Sequence, residues 1–300
     1  MPSSPAARRR LAYFLFFLAP GLWSANQIVA RWSADWFPPN QLALYRWIIA
    51  AVPMAVFSGA ALWAARDAVR REWKDLLVLG AIGMWICGTF VYIGARTTTA
   101  TNIGLIYAGS PVMMILVAAA VYKEHLTRVQ GLGALLALIG VVVVVTRGDF
   151  EVLTALSFSV GDLWVFTAAT GWAVYSLLLR HRPTALDPSA RLLAITLGGV
   201  LVLIPFSAVE IATVGWPPPT WQAVTAALIA GLLPGFGAYQ AYSWLLRELG
   251  TARTGLLLYL IPLYNAVLAW IILGEQVRWY HAVGAALVLP GVYLANRRAG

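Results

Sequence analysis

The sequence predicts an all-α membrane protein in which ten transmembrane helices form two inverted five-helix repeats. Three observations predict this fold: the composition, the number of long apolar windows, and a match between the two halves of the chain. Of the 300 residues, 61% are hydrophobic and 11% are charged, and the mean hydropathy is +0.76. Because soluble domains carry about 25% charged residues, most of this chain belongs in lipid.

Ten windows are long enough to cross a bilayer as a helix, which needs about 20 mostly apolar residues. The alternating ten-residue strands of a membrane barrel are not seen in the sequence. The first window follows Arg8-Arg9-Arg10 as a signal peptide would, but it is too long and has no cleavage motif before Arg31, so we predict an uncleaved helix. The ten windows are 11–30, 41–59, 75–95, 101–122, 130–146, 160–180, 190–209, 221–246, 253–273 and 281–296.

Basic residues predict the orientation of these helices. If both termini are cytoplasmic, sixteen of the 21 Lys and Arg residues fall in inside segments, four fall in outside loops, and Arg46 lies within a span. The positive-inside rule favours this orientation. Since topology accounts for most of the +9 charge, no nucleic acid partner is needed to explain it. The predicted partners are the lipid bilayer and a small molecule.

The two halves of the chain match each other. A shift of 151 residues gives 11 identities in 38 positions between 104–141 and 255–292, and it places Pro111 on Pro262. A shift of 149 places Trp23 on Trp172. Because each half holds five helices, an odd number, the halves must run in opposite directions across the membrane. The predicted parts are a cytoplasmic segment 1–10, a first repeat 11–147, a periplasmic linker 148–159 and a second repeat 160–298.

Pro111 and Pro262 lie about halfway along the fourth helix of each half and are the predicted hinges. Proline in a helix interior costs about 3 kcal/mol, and inverted-repeat transporters build their sites at interrupted helices near midplane. The stretch Gly109-Ser110-Pro111 predicts a helix restart, with Ser110 as the N-cap and Pro111 as the first helical residue. The alternative is a kink that serves packing alone, which membrane proteins tolerate.

These residues resemble the signature of the EamA-type, ten-helix branch of the drug/metabolite transporter superfamily, over essentially the whole chain. The resemblance implies an inner-membrane exporter of amino acids and related small metabolites. It also implies a central cavity lined by helices 1, 3, 4, 6, 8 and 9. Length and tryptophan content are most similar to the bacterial aromatic amino acid exporters. The residues that carry the resemblance are Trp23-Ser-Ala-Asn26, Arg46, Pro111, Glu124-His-Leu-Thr, Gly131 and Gly140, with Trp172-Ala-Val-Tyr175, Pro262, Glu275, Gly284 and Gly291.

Aromatic and polar residues within the implied cavity helices form the predicted substrate-binding set. Aromatic walls with a few amide and hydroxyl groups suit a small, partly apolar zwitterion. For any one polar residue the alternative is a hydrogen bond between helices, worth about 0.6 kcal/mol. The set comprises Trp23, Asn26, Trp85, Tyr92, Tyr107, Ser110, Trp172, Tyr175, Tyr239, Tyr259 and Asn265.

Arg46 is the one cation that the windows place well inside a span rather than at its end, roughly 8 Å deep at 1.5 Å per residue. It is the candidate counter-ion for a substrate carboxylate. The alternative is that its guanidinium reaches the outer headgroups between Tyr45 and Trp47.

No catalytic residue, cofactor or metal site is predicted. The chain has one cysteine, Cys87, its three histidines fall in or beside loops, and no acid lies near midplane. A membrane-embedded lipid-modifying enzyme would need a convergent cluster of such groups, so we do not expect an enzyme. Glu124 and Glu275 lie at span ends and are predicted to cap the fifth and tenth helices.

Without an intramembrane carboxylate or histidine, the sequence predicts facilitated diffusion by alternating access rather than proton-driven export. A drug or lipid extruder of the same superfamily is the alternative. The chain is expected to act as a monomer or a dimer.

Overall fold

The protein is described by a computed structural model over residues 5–123, 127–149, 151, 159–217, 220–255, 257 and 260–295. Within these ranges the regular structure is helical. The helices are α1 (Pro5–Trp32), α2 (Pro39–Ala64), α3 (Arg66–Gly80, Ala81–Ile86 and Cys87–Gly94), α4 (Ala100–Ala108 and Ser110–Tyr122), α5 (Arg128–Val145), α6 (Val160–His181), α7 (Pro188–Val214), α8 (Trp221–Ala230, Gly231–Gly237 and Ala238–Gly255), α9 (Ile261–Leu273) and α10 (Trp279–Ala295).

The described helices agree with ten membrane spans. Six of them are long and apolar enough to cross a membrane by themselves, and the two segments of α4 together form one bent span. Three shorter apolar helices, α5, α9 and α10, complete the set. The protein is an all-α membrane protein built of two inverted five-helix repeats.

Several helices run beyond their predicted windows, and α3 and α8 do so most. The third begins at Arg66 rather than at residue 75, and the eighth continues to Gly255, so the predicted loop at 247–252 is wrong. Charged residues end an apolar window but not a helix, because Glu, Arg and Leu all favour helical backbone in water. Of the predicted linker 148–159, residues 150 and 152–158 lie outside the described part of the chain.

Helices α5 and α10 pack tightly through glycine. A Cβ atom on Gly140 would lie 2.9 Å from the carbonyl oxygen of Gly284, and one on Gly291 would lie 2.8 Å from that of Gly133. The 151-residue shift exchanges these two contacts, since it places Gly133 on Gly284 and Gly140 on Gly291. Such reciprocity is expected of two halves related by a two-fold axis, and small residues let membrane helices approach closely.

The third helix of each half contains a π-helical segment, Ala81–Ile86 in α3 and Gly231–Gly237 in α8. Neither was predicted, because no residue pattern marks this winding. Each begins beside a close crossing. A Cβ atom on Gly80 would lie 2.8 Å from the carbonyl oxygen of Ile195, and one on Gly231 would lie 3.0 Å from that of Arg46. Short π-helical segments occur often at functional sites.

Gly80→Ala should destabilise the folded protein by about 1 to 3 kcal/mol, the usual effect of overpacking. The new Cβ atom would lie 2.4 Å from the backbone nitrogen of Gly199, and backbone cannot move aside as a side chain can. Thermal unfolding of the purified protein in detergent measures this. Gly59→Ala is the matched control, because nothing lies within 4 Å of its Cβ position. Equal melting temperatures for the two variants would contradict the close α3–α7 packing.

Helix α4 is broken at Gly109, and its two segments meet at 40°. The sequence predicted a helix restart here, but it predicted the wrong N-cap residue. Gly109 occupies the N-cap, and Ser110 is the first helical residue. The Ser110 hydroxyl is therefore free of a capping role, and it is buried without a hydrogen-bond partner. Pro111 and Pro262 both stand in the first turn of a helical segment, where proline needs no backbone donor.

Candidate functional site

Arg46 lies inside the protein rather than at its surface. The side chain is 6% exposed, and its guanidinium carbon lies 4.4 Å from the centre of the Trp47 ring. Its Cγ packs near Gly235 in the π-helical segment of α8, and its Nε atom has no hydrogen-bond partner. Among the described residues no carboxylate forms an ion pair with it. A buried, unpaired cation is costly unless an anion joins it.

The Tyr92 hydroxyl is hydrogen-bonded to this cation, and two further tyrosines lie within range of its charge. The guanidinium interacts electrostatically with the hydroxyls of Tyr92, Tyr107 and Tyr239, which come from α3, α4 and α8. Tyr92 donates a hydrogen bond to Asn26 Oδ1 at 2.8 Å, and Tyr107 donates to the Cys87 carbonyl at 3.1 Å. Five predicted site residues on five helices thus lie in one connected neighbourhood.

The aromatic residues of the set lie beside this neighbourhood. Trp23 packs against Tyr239 with ring centres 6.2 Å apart, and Trp47 packs against the same ring at 6.4 Å. On α6, Trp172 and Tyr175 are 5.4 Å apart. The Tyr175 ring sits in the space left by Gly83, in the π-helical segment of α3.

The crossing of α4 and α9 holds polar atoms without partners. Asn265 is fully buried, and neither its amide nitrogen nor its amide oxygen is hydrogen-bonded. It fits only because Gly104 has no side chain: a Cβ atom there would overlap the Asn265 amide. Because a buried, unpaired polar group costs about 1 to 3 kcal/mol, Asn265 and Ser110 are groups that a ligand would stabilise.

One predicted site residue, Trp85, is not part of this arrangement. Trp85 stacks on Phe206 at 3.9 Å and donates to Asn40 Oδ1 at 3.2 Å, so it belongs to a separate aromatic cluster. Tyr259 lies outside the described residues.

Two residues near the site were not predicted. Ser24 is fully buried and donates to the carbonyl of Ile261 at 3.3 Å, which joins α1 to the start of α9. The sequence could have indicated Ser24, because serine stands here in place of the glycine that commonly follows tryptophan in the Trp23-Ser-Ala-Asn26 motif. Thr89 is buried with an unpartnered hydroxyl on α3, and nothing in the sequence distinguishes it.

The predicted cap on the tenth helix is wrong. Glu275 accepts hydrogen bonds from the backbone of Ala100 at 2.8 Å and Thr101 at 3.2 Å, so it caps α4. The free backbone donors at a helix start attract any carboxylate that tertiary structure brings there. Glu124, its counterpart in the first half, lies outside the described residues.

Arg46 is not among the residues that line the two surface grooves of about 490 and 470 Å³. The first runs between α1 and α9 and is lined by Tyr13, Phe14, Phe17, Leu18, Gly21 and Tyr264. The second is lined by residues that include Phe37, Tyr45, Ile49 and Trp216. Since Arg46, Tyr92 and Asn26 are all buried, the structure is closed around them.

Comparison with known proteins identifies the class. The model of the EamA-like transporter family matches the chain twice, over residues 10–146 and 159–297. The chain belongs to this family and is a multi-pass membrane transporter, not an enzyme. The two matched regions are the two five-helix repeats.

Individual relatives are similar over nearly the whole chain. The uncharacterized transporter YyaM of Bacillus subtilis is 26% identical, with 89% of this chain and 88% of the relative covered. A probable terminal-alkyne amino-acid exporter of Streptantibioticus cattleyicolor is 26% identical, covering 94% and 95%. A probable amino-acid metabolite efflux pump of Salmonella typhimurium is 25% identical, covering 94% and 93%.

One crystal structure of a protein is similar in fold. It matches with a TM-score of 0.60 at 22% identity and covers 95% of this chain and 96% of its own.

Proposed function

We propose that this protein exports neutral amino acids, aromatic ones included, and related small metabolites across a bacterial inner membrane. Both termini face the cytoplasm, and the central site opens to each side in turn. The names of the relatives from Streptantibioticus cattleyicolor and Salmonella typhimurium support amino acids as the substrate class. The observation that carries the proposal is the buried cation Arg46. It lies near tyrosine hydroxyls, its Nε atom has no hydrogen-bond partner, and no described carboxylate forms an ion pair with it.

The internal repeat supports a binding role for Arg46. The 149-residue shift places it on Ile195, and both residues present their carbonyl oxygens to the glycine at the start of a π-helical segment. The same structural position therefore accepts an aliphatic side chain in the other half. Since packing does not require the cation, we assign it to a ligand carboxylate, to which arginine donates two parallel hydrogen bonds.

The other predicted residues supply the remaining contacts of an amino acid. Asn26, Asn265 and the Ser110 hydroxyl have acceptor oxygens for the ammonium group. Trp23, Trp172 and Tyr175, with Tyr92, Tyr107 and Tyr239, provide apolar surface for the side chain, as ligand sites normally do.

The same residues favour passive transport. Arg46 keeps its proton at every relevant pH, so it cannot carry protons across the membrane. A neutral zwitterion moves no net charge and gains little from the membrane potential. Substrate therefore flows down its own gradient as the halves rock about Pro111 and Pro262.

A drug or lipid extruder of the same superfamily is the second candidate. It is favoured by the apolar groove between α1 and α9, which is open to the surface and would admit a lipophilic molecule sideways from the membrane.

Uptake into proteoliposomes tests the substrate class. Radiolabelled tryptophan, phenylalanine, leucine and threonine are offered beside a lipophilic amine and a fluorescent lipid. We expect saturable uptake of the amino acids, strongest for aromatic ones, that unlabelled amino acid competes away. Uptake of the amine or lipid alone would overturn the proposal in favour of extrusion.

A further inference from the structure

A chain of buried hydrogen bonds joins the two halves at the face opposite the start of α1, here called the outer face. Asp162 at the start of α6, Asn102 in α4 and His281 at the start of α10 are each less than 5% exposed. Asn102 Nδ2 donates to Asp162 Oδ1 at 3.3 Å, and His281 Nε2 lies 3.0 Å from Asn102 Oδ1. Thr98, before α4, also donates to Asp162 Oδ1. We call Asp162, Asn102 and His281 the outer latch.

The geometry requires a neutral histidine. The backbone N–H of Arg278 donates to His281 Nδ1 at 3.0 Å, and a backbone N–H can only donate. The ring proton must therefore lie on Nε2, where it is donated to Asn102 Oδ1. A second proton would occupy Nδ1 and leave two donors facing each other, since the charged ring has no acceptor.

The first half contains the same contact without a titratable group. The 151-residue shift places His281 on Gln130 and Arg278 on Thr127. There the backbone N–H of Thr127 donates to Gln130 Oε1 at 3.0 Å, just as Arg278 donates to His281. Glutamine thus fills the corresponding place at the start of α5, and of these two positions only the outer one carries a side chain that can bind a proton.

We propose that His281 is a proton-binding site that releases the outer latch, so that acid on the outer side favours opening of the outer face. A proton from the outer solution binds Nδ1, displaces the Arg278 N–H, and weakens the hold of α10 on Asn102 and Asp162. The proposal rests on the proposed function in one respect: the opened face leads to the transport site.

The charges around the latch favour release. Arg278 acts on His281 and Arg147 on Asp162 through space, and both arginines oppose another positive charge. The Tyr280 ring lies 4.3 Å from the imidazole. Asp162 attracts the charged ring only through the intervening Asn102, and its Oδ2 atom has no partner. Other described charged groups near this corner are Arg31, which donates to the Ala95 carbonyl, Glu275 on the α4 start, and the exposed Arg96. Asp149 follows Gly148, which lies against the Trp279 ring at the start of α10, and its Oδ1 atom accepts a hydrogen bond from the Glu151 backbone.

A proton site reached from one side regulates transport but does not drive it. Driving would require the same imidazole to release its proton to the opposite face, and His281 lies near the outer start of α10. The outer latch is therefore compatible with passive transport of amino acids.

Accessibility of a thiol behind the latch measures its state. In a Cys87→Ser background, Ser110→Cys places one thiol at the break of α4, where the native side chain is 3% exposed. Intact cells are treated from outside with a membrane-impermeant thiol reagent at pH 7.5 and pH 5.5. Each rate is divided by that of the same protein unfolded in detergent at the same pH, which cancels the titration of the thiol itself.

The normalised rate should rise roughly tenfold from pH 7.5 to pH 5.5, because an exposed histidine takes up its proton near pH 6.5. His281→Gln should keep the latch closed and hold the rates at the two pH values within about twofold. Asn102→Ala should label quickly at both pH values. His181→Gln is the matched control: that ring contacts the Leu177 carbonyl at the other end of α6, so it should retain the native pH response.

A native rate that does not change with pH would overturn the proposal, and so would an unchanged pH response in His281→Gln. This labelling assay needs no substrate, so its failure is distinct from failure of the transport proposal. Conversely, the native protein could show the expected pH response in labelling and yet take up no amino acid in liposomes. That outcome would reject amino acids as the substrate class and support the outer latch.

Discussion

Arg46→Met is expected to lower the kcat/KM for tryptophan transport at least about 30-fold. Removing one partner of a desolvated charge pair costs 2 kcal/mol or more, and each 1.36 kcal/mol is a factor of ten. The loss should appear mainly as a higher KM, because the carboxylate is bound in the ground state. Initial uptake rates in proteoliposomes over a range of tryptophan concentrations provide both constants.

Two comparisons separate binding from folding in this experiment. Ile195 occupies the corresponding position in the second half, so methionine should leave the melting temperature close to that of the native protein. Tryptophan amide lacks the carboxylate, and the variant should transport it as well as the native protein does. Arg66→Gln removes an arginine that stacks on Trp63 away from the site. This variant should transport both tryptophan and tryptophan amide as the native protein does. Native tryptophan kinetics in Arg46→Met would remove Arg46 from the site.

Pro111→Ala and Pro262→Ala should each slow transport roughly tenfold, about 1.4 kcal/mol on the rate-limiting barrier, while the amount of folded protein stays near the native level. Alanine restores a backbone donor and favours regular helix at the start of each segment, which stiffens the element that must bend when the site changes sides. Exchange of labelled for unlabelled amino acid across the liposome membrane measures this rate directly.

Pro188→Ala supplies the control for the proline variants. Pro188 also stands in the first turn of a helix, α7, but away from any interruption, so its replacement should leave exchange unchanged. If Pro111→Ala and Pro262→Ala exchange as fast as the native protein, the two prolines serve packing and not movement.

The inverted repeat was predictable because its signals are local or strictly periodic. The membrane spans follow from the apolar composition of each window. The repeat follows from identical residues in the two halves, such as Pro111 and Pro262, that coincide at one constant sequence shift. The direction in which each side chain points, towards the centre of the protein or towards lipid, was harder to predict. The apolar helices of this protein are hydrophobic on most sides, so no amphipathic pattern shows which side faces the centre. For that reason Tyr92 and Trp85, both on α3, were predicted together although only Tyr92 reaches Arg46.

The polar contacts between helices could not be predicted from the sequence. Glu275 caps α4, about 175 residues distant, because the loop after α9 folds over that helix start. Asn102, which accepts the hydrogen bond from His281 Nε2, likewise comes from the other half of the chain. Spacing along a sequence gives no distance between such residues until the helices are packed.

Uptake by purified protein in sealed liposomes, with and without an imposed pH gradient, tests the central claim most directly. The account predicts that labelled amino acid enters without any pH gradient and stops when its concentrations inside and outside are equal. External acid should change only how quickly that point is reached. Accumulation above the external concentration that requires a pH gradient and disappears with a protonophore would contradict passive transport and indicate coupling to a proton.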